Sequence, residues 1–143
     1  MHENIMLRLA NTPDLPFLAD LKLTNEKMSP FITRTLRTPE EEMAYLTETS
    51  KRCTITIATI SGQIVGFSAM NGDYMEQLFV HPNFQGKGVG SMLLLNEQKT
   101  RKAMSLAVIR ENVNAINFYV SHGFIFEHEI PNSNANHYAW HRY

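Results

Sequence analysis

The sequence predicts an α/β (α+β) fold, a mixed sheet with helices on both faces, and three observations predict it. Apolar, β-branched runs are interleaved with segments of helical spacing in the order β-α-α-β-β-β-α-β-α-β-β. The turn signals "SGQ" and "NGD" separate three consecutive strand-like runs, which reads as a hairpin extended by a third antiparallel strand. The chain has 143 residues, 43% of them hydrophobic and 19% charged, with no repeat, linker or low-complexity tract. That composition is globular and suits one domain spanning residues 1–143.

The elements follow in order. "IMLRLA" (Ile5 to Ala10) is the first strand. Leu15, Phe17, Leu18 and Leu21 give the next segment an apolar helical face. Thr12 as N-cap and Pro13 at the first helical position start that helix, which runs to Met28, and Pro16 delays its regular start. "SPFITRTLR" is a loop. In "TPEEEMAYLTETSK" Thr38 caps a helix, Pro39 takes its first position, and Glu41 completes a capping box. "CTITIATI", "IVGFSAM" and "YMEQLFV" are the three strands of the meander. A glycine-rich turn and a helix from Gly88 to Lys102 follow, then a strand "SLAVI" and a helix "NVNAINFYVSHG". The strand "FIFEHEI", a polar loop "PNSNAN" and a last strand "HYAWHRY" complete the chain.

Several classes of protein are disfavoured. Thirteen basic residues against fourteen acidic argue against broad nucleic-acid binding, which needs a basic surface, and leave room only for a local basic patch. The apolar runs are far shorter than the roughly 20 residues of a membrane span. "MHENIMLRLANTPD" lacks the basic start and long apolar run of a signal peptide. Cys53 is the single cysteine, so no internal disulfide forms, which is compatible with a cytoplasmic setting. In its apolar strand Cys53 reads as a small hydrophobe rather than a nucleophile.

The chemistry concentrates in "HPNFQGKGVGS", where Gly86, Gly88 and Gly90 alternate. The first amides of a helix lack intrahelical partners, and the helix dipole adds positive charge there. Glycine permits φ > 0 and lets a bulky anion approach the backbone. Lys87 adds a full charge in the same turn, so the stretch suits a phosphorylated ligand. A P-loop needs Ser or Thr directly after its lysine, which is absent. A dinucleotide fingerprint needs a third glycine or alanine where Ser91 or Leu93 stands, although Glu111 lies at the spacing of its ribose acid.

"LFVHPNFQGKGVGSMLL" resembles the central signature of the GNAT superfamily of N-acetyltransferases, L-x-V-x-P-x-x-Q-G-x-G-x-G. Leu78, Val80, Pro82, Gln85, Gly86, Gly88 and Gly90 match it. "NVNAINFYVSHGF" resembles the second signature, through Asn112, Ala115, Phe118, Tyr119, Gly123 and Phe124. The span from Gly90 to Leu106 is short for the family but leaves both signatures whole. The resemblance implies a mixed, mostly antiparallel sheet of about six to seven strands. It implies acetyl-CoA as co-substrate, with no metal. The amides of Gln85, Gly86, Lys87, Gly88, Val89, Gly90 and Ser91 would receive the pyrophosphate. The strand Leu78, Phe79, Val80 would lie along the pantetheine arm at a splay in the sheet, with Asn112 and Asn117 reaching it from the next helix. Asn112 reads equally as a plain N-cap.

For catalysis the resemblance implies Tyr119 as the acid that protonates the leaving thiolate, and a backbone amide near Phe79 or Val80 as the oxyanion donor. Glu76 is the candidate general base; a water molecule or a merely solvated Glu76 are the alternatives. A bulge would decide which face of the strand Glu76 takes. His81 and His122 read as surface histidines. Arg34 and Arg37 suit an acidic acceptor, Glu26, Asp73 or Glu76 a cationic one, and all five suit plain surface charge. Tyr138 and Trp140 read as packing or as pocket lining. The function implied is acetyl transfer to a primary amine of a small molecule or peptide, by direct attack in a ternary complex. The alternative is a non-catalytic CoA-binding module. The implied partners are the amine acceptor and, through the C-terminal strands, a second copy of the chain.

Overall fold

Runs rich in β-branched residues become strands that hydrogen-bond side by side, while the amphipathic segments fold over them. The structure, a computed structural model, describes residues 4–32 and 34–142. Its elements are β1 (Ile5–Leu9), α1 (Leu15–Met28), α2 (Pro39–Arg52), β2 (Thr54–Ile60), β3 (Gln63–Asn71), β4 (Tyr74–Val80), α3 (Val89–Lys99), β5 (Ala103–Ile109), α4 (Val113–Ser121), β6 (Ile125–Glu129) and β7 (Ala135–His141). The order of types is the expected one. The strands form one seven-stranded sheet, β1-β2-β3-β4-β5-β7-β6. Every pairing is antiparallel except β4 with β5. No helix among the described residues is long and apolar enough to cross a membrane.

Helices cover both faces. Leu15, Leu18, Ala19 and Leu21 of α1 and Leu46 of α2 pack on Ile55, Ile57, Phe67 and Ala69. On the opposite face Val89 and Leu93 of α3 pack on Ala58, Ile60 and Val65. A third cluster joins Leu94 of α3 and Ala115, Ile116, Phe118 and Tyr119 of α4 to Met104, Leu106, Val108 and Tyr138. Fully burying one such aliphatic or aromatic side chain stabilises the fold by roughly 1.5–3 kcal/mol.

Local chemistry sets the boundaries. Thr38 Oγ1 accepts from the Glu41 amide at 3.1 Å, and Glu41 Oε1 accepts from the Thr38 amide at 2.9 Å, so the expected capping box starts α2. Between β2 and β3, Ser61 and Gly62 both have positive φ, as the tightest hairpin turn requires. The start of α1 differs from the expected one. Pro13 belongs to a 3₁₀ turn, Thr12–Asp14, and the α-helix begins at Leu15 with Pro16 in its first turn. Asn11 rather than Thr12 precedes that turn, its amide donating to Asp14 Oδ2 at 2.7 Å. The last strand begins at Ala135, two residues before expected, because Ala135 already pairs with Ile109; Tyr143 lies outside the described residues.

Candidate active site

Strands β4 and β5 run parallel, yet their register contains a single Cα pair, Tyr74 with Ser105. The Ser105 amide donates to the Asp73 carbonyl at 3.0 Å beside it. Beyond that point the two strands part, and Leu78, Phe79 and Val80 line the gap. The gap continues past the glycine turn and along α4 as one cavity of about 620 Å³.

The turn is built for an anion. Gly86 and Gly88 have φ of 78° and 89°, in the left-handed region that a side chain disfavours. Open space surrounds the position a Cβ would take at each. Gly90 differs: a Cβ there would stand 3.4 Å from the Phe118 ring, in ordinary van der Waals contact with α4. The first helical bond of α3 runs from the Met92 amide to the Gly88 carbonyl at 3.0 Å. The amides of Val89, Gly90 and Ser91 precede it and have no partner within the helix. The Gln85 side chain ties the turn down, donating to the Val80 carbonyl at 3.0 Å and to Asn25 Oδ1 at 3.3 Å. The donor set of helix amides and left-handed glycines therefore fits a pyrophosphate.

Across the cavity stands α4. Asn112 Oδ1 accepts from the Ala115 amide at 3.2 Å, so Asn112 is an N-cap, and it also lines the cavity. Tyr119 lines it too, its ring 5.2 Å from Phe118 and 5.7 Å from Phe124. Burial pushes the Tyr119 phenol upward, away from ionisation. Of the expected ligand contacts, Leu78, Phe79, Val80, Gln85, Gly86, Gly88, Val89, Gly90, Ser91, Asn112 and Tyr119 share this cavity. Asn117 is exposed and outside the lining, because a helix turns its side chain away from the face that carries Ala115 and Phe118. The Lys87 ammonium lies outside the lining as well, 5.6 Å from the Phe84 ring centre. Asn25, Phe84, Asn114, Ala115 and Phe118 also line the cavity. Ala115 and Phe118 carry a signal in the second signature, whereas Asn25 sits on the distant α1 with no motif to mark it.

The structure counts against Glu76 as the base. Ala69 pairs with Gln77 and Met70 with Met75, so Glu76 is the extra residue of a β-bulge. Its carboxylate reaches Arg52 of α2 at 2.7 Å and Asn71 at 3.1 Å, and Glu76 is not part of the cavity lining. The Arg52 guanidinium beside it holds its carboxyl down to about 2, which makes it a weak proton acceptor. The other candidate acceptor charges are paired within the chain. Arg34 meets Glu26 at 2.5 Å, Arg37 lies 3.7 Å from buried Glu42 and over the Tyr45 ring, and Asp73 lies 3.6 Å from Arg101. Tyr138 is core and Trp140 packs against it. His81 Nδ1 accepts from the Asn83 amide at 3.1 Å, and the His122 ring lies tilted against Phe118, 4.5 Å between centres; neither lines the cavity. The Cys53 thiol is pushed up to about 11, first by burial, which suits a packing role.

Comparison with known proteins agrees with this geometry. The sequence model of one family, described as an acetyltransferase (GNAT) domain, matches residues 51–126. A peptidyl-lysine N-acetyltransferase, YjaB of Salmonella typhimurium, is 33% identical over 60 residues, 42% of this chain and 41% of that protein. The match thus spans less than half the length of that curated relative. The crystal structure of PaiA N-acetyltransferase from Thermoplasma acidophilum in complex with coenzyme A superposes with a TM-score of 0.79 at 17% identity, over 97% of this chain and 99% of that one. An acetyltransferase from Thermus thermophilus gives a TM-score of 0.81 at 18% identity, over 99% and 100%.

Proposed function

The chain belongs to the GNAT acetyltransferase family, and from that premise we propose that it is an acetyl-CoA-dependent N-acetyltransferase acting on a primary amine by direct attack, with both substrates bound. The observation that carries this reading is one cavity in which the splayed edge of β4, the glycine-turn amides and Tyr119 meet.

Acetyl-CoA supplies an activated acetyl thioester. The amides of Val89, Gly90 and Ser91, with the α3 dipole behind them, hold its pyrophosphate. The β4 edge from Leu78 to Val80 offers backbone groups to the amides of the pantetheine arm, as an extended peptide adds to a sheet edge. A backbone amide of Phe79 or Val80 donates to the thioester oxygen as charge builds there. Tyr119 holds a proton for the departing sulfur. Water takes the proton of the acceptor amine, since Glu76 is bound to Arg52. A lysine side chain of a peptide is the acceptor class this reading favours, and the name of the Salmonella relative supports it.

Calorimetry with CoA, followed by a free-thiol release assay, tests the reading. The assay covers lysine peptides, blocked peptides, polyamines and amino acids. CoA binding with release on lysine peptides is expected. Absence of CoA binding overturns the reading. CoA binding without release on any amine establishes the non-catalytic module instead.

A further inference from the structure

Strands β6 and β7 place three metal-ligating side chains together, far along the sheet from the glycine turn. In their antiparallel register His128 stands directly opposite His137. The two rings are stacked, 4.8 Å between centres and 5° from parallel. Glu127 precedes His128 and in a regular strand points to the opposite face. Here it does not. Phe126 pairs with Tyr138 and His128 with His137, so Glu127 is the extra residue of a bulge. The bulge turns its carboxylate to the histidine side, 2.9 Å from His137 Nδ1. One ligand atom from each of the three residues lies within 4.8 Å of the others.

The hydrogen bonds also fix which nitrogens are available. His128 Nδ1 lies 3.0 Å from the Glu129 carbonyl. A carbonyl can only accept, so in the neutral ring Nδ1 carries the proton and Nε2 keeps its lone pair. The Glu127 carboxylate imposes the same tautomer on His137. Two imidazoles with Nε2 lone pairs, one of them oriented through Nδ1 by a carboxylate, is the arrangement by which proteins prepare histidine for a metal. Two nitrogens on one zinc ion, each about 2.0–2.1 Å from it, lie no more than about 4 Å apart. Glu127 and His128 are exposed and His137 half-buried, so the stacked rings are free to turn their Nε2 lone pairs toward one ion. Ala107, opposite His137 on β5, adds only a methyl group beside it.

We propose that His128 and His137, oriented by Glu127, form a surface site for a borderline divalent transition metal of the zinc, nickel or copper class. Imidazole donors suit these ions, and magnesium or calcium need more oxygen ligands than this face supplies. The ion bridges the edge strand β6 to β7 and leaves coordination positions for water.

The test uses the untagged chain and the metal alone. Titration calorimetry with zinc chloride and nickel chloride is expected to show one equivalent bound. H128A and H137A are each expected to weaken binding at least tenfold, and E127Q by about 10–100-fold through loss of orientation. H81A and H122A should leave affinity unchanged. Zinc should raise Tm in the parent chain and not in H128A, whose exposed position on an edge strand leaves the fold intact. Unchanged affinity in the H128A/H137A double variant overturns the proposal, as does a parent chain that takes up neither ion.

Discussion

A phenol helps a leaving thiolate only while it keeps its proton. Burial at Tyr119 moves ionisation upward, so the acid form persists across the neutral range. Tyr119→Phe keeps the ring contacts with Phe118 and Phe124 and removes only the hydroxyl. Turnover of a lysine peptide should fall about 100-fold or more, with CoA affinity unchanged by calorimetry. In the parent enzyme kcat should hold level or rise from pH 7 to pH 9, since the acid is not titrated there; a fall over that range counts against Tyr119. Glu76 behaves in the opposite way. Its folded-state carboxyl is depressed from 4.5 to about 2 by Arg52 first, then by Asn71. The stability it contributes is therefore present above pH 4.5 and lost as pH falls through about 2. Melting curves of the parent and Glu76→Gln should differ at pH 7 and converge towards pH 2. Glu76→Gln should also cost turnover far less than the roughly 100-fold expected of a lost general base.

At the scale of elements, the glycine turn separates shape from packing. Gly88 and Gly62 share a left-handed backbone and open surroundings, but only Gly88 lines the cavity. Alanine at either should cost about 1–2 kcal/mol, or about 3–6 °C in Tm. Gly88→Ala should in addition lower CoA affinity, because the turn must shift to relieve the strain, while Gly62→Ala should leave it intact. Equal CoA affinity in both variants removes the turn from ligand binding. The same turn shows why parts of this protein are readable from sequence. A left-handed turn accepts glycine and little else, and a capping box needs Thr38 and Glu41 at fixed spacing, so local chemistry writes itself into the residues. The bulge at Glu76 does not. It arises from how β3 pairs with β4, and "YMEQLFV" alternates well enough to conceal it. Asn117 misleads for a related reason: it lies inside a signature, but a helix presents only one face to the cavity. Asn25 is invisible because α1 meets the glycine turn only in three dimensions, sixty residues along the chain.

Across the whole molecule, the sheet is two parts joined at a narrow point. Strands β1 to β4 form one antiparallel set and β5, β7 and β6 another, and a single registered pair links them. Beside that pair the Ser105 amide donates to the Asp73 carbonyl and Arg101 reaches Gly72 and Asp73, and on one face Leu94 of α3 meets Met70 and Met75 on one side and Met104, Leu106 and Phe124 on the other. A ligand in the gap touches both parts, through β4 on one edge and Asn112 and Tyr119 of α4 on the other. Binding to the folded state alone raises stability by mass action, about 2.7 kcal/mol at a hundredfold excess over Kd. If the ligand also ties the parts together, the gain is not spread evenly. Hydrogen exchange should slow most in β4 beyond Tyr74, in the turn from Gln85 to Ser91 and in α4. The β1–β2 and β2–β3 pairings lie away from the gap and should slow only as far as global unfolding governs them. Uniform slowing at every amide would mean that the two parts already open as one unit and that the gap is a passive slot. Slowing confined to β4, the turn and α4 would make the splay between β4 and β5 the point where ligand binding and fold stability are coupled.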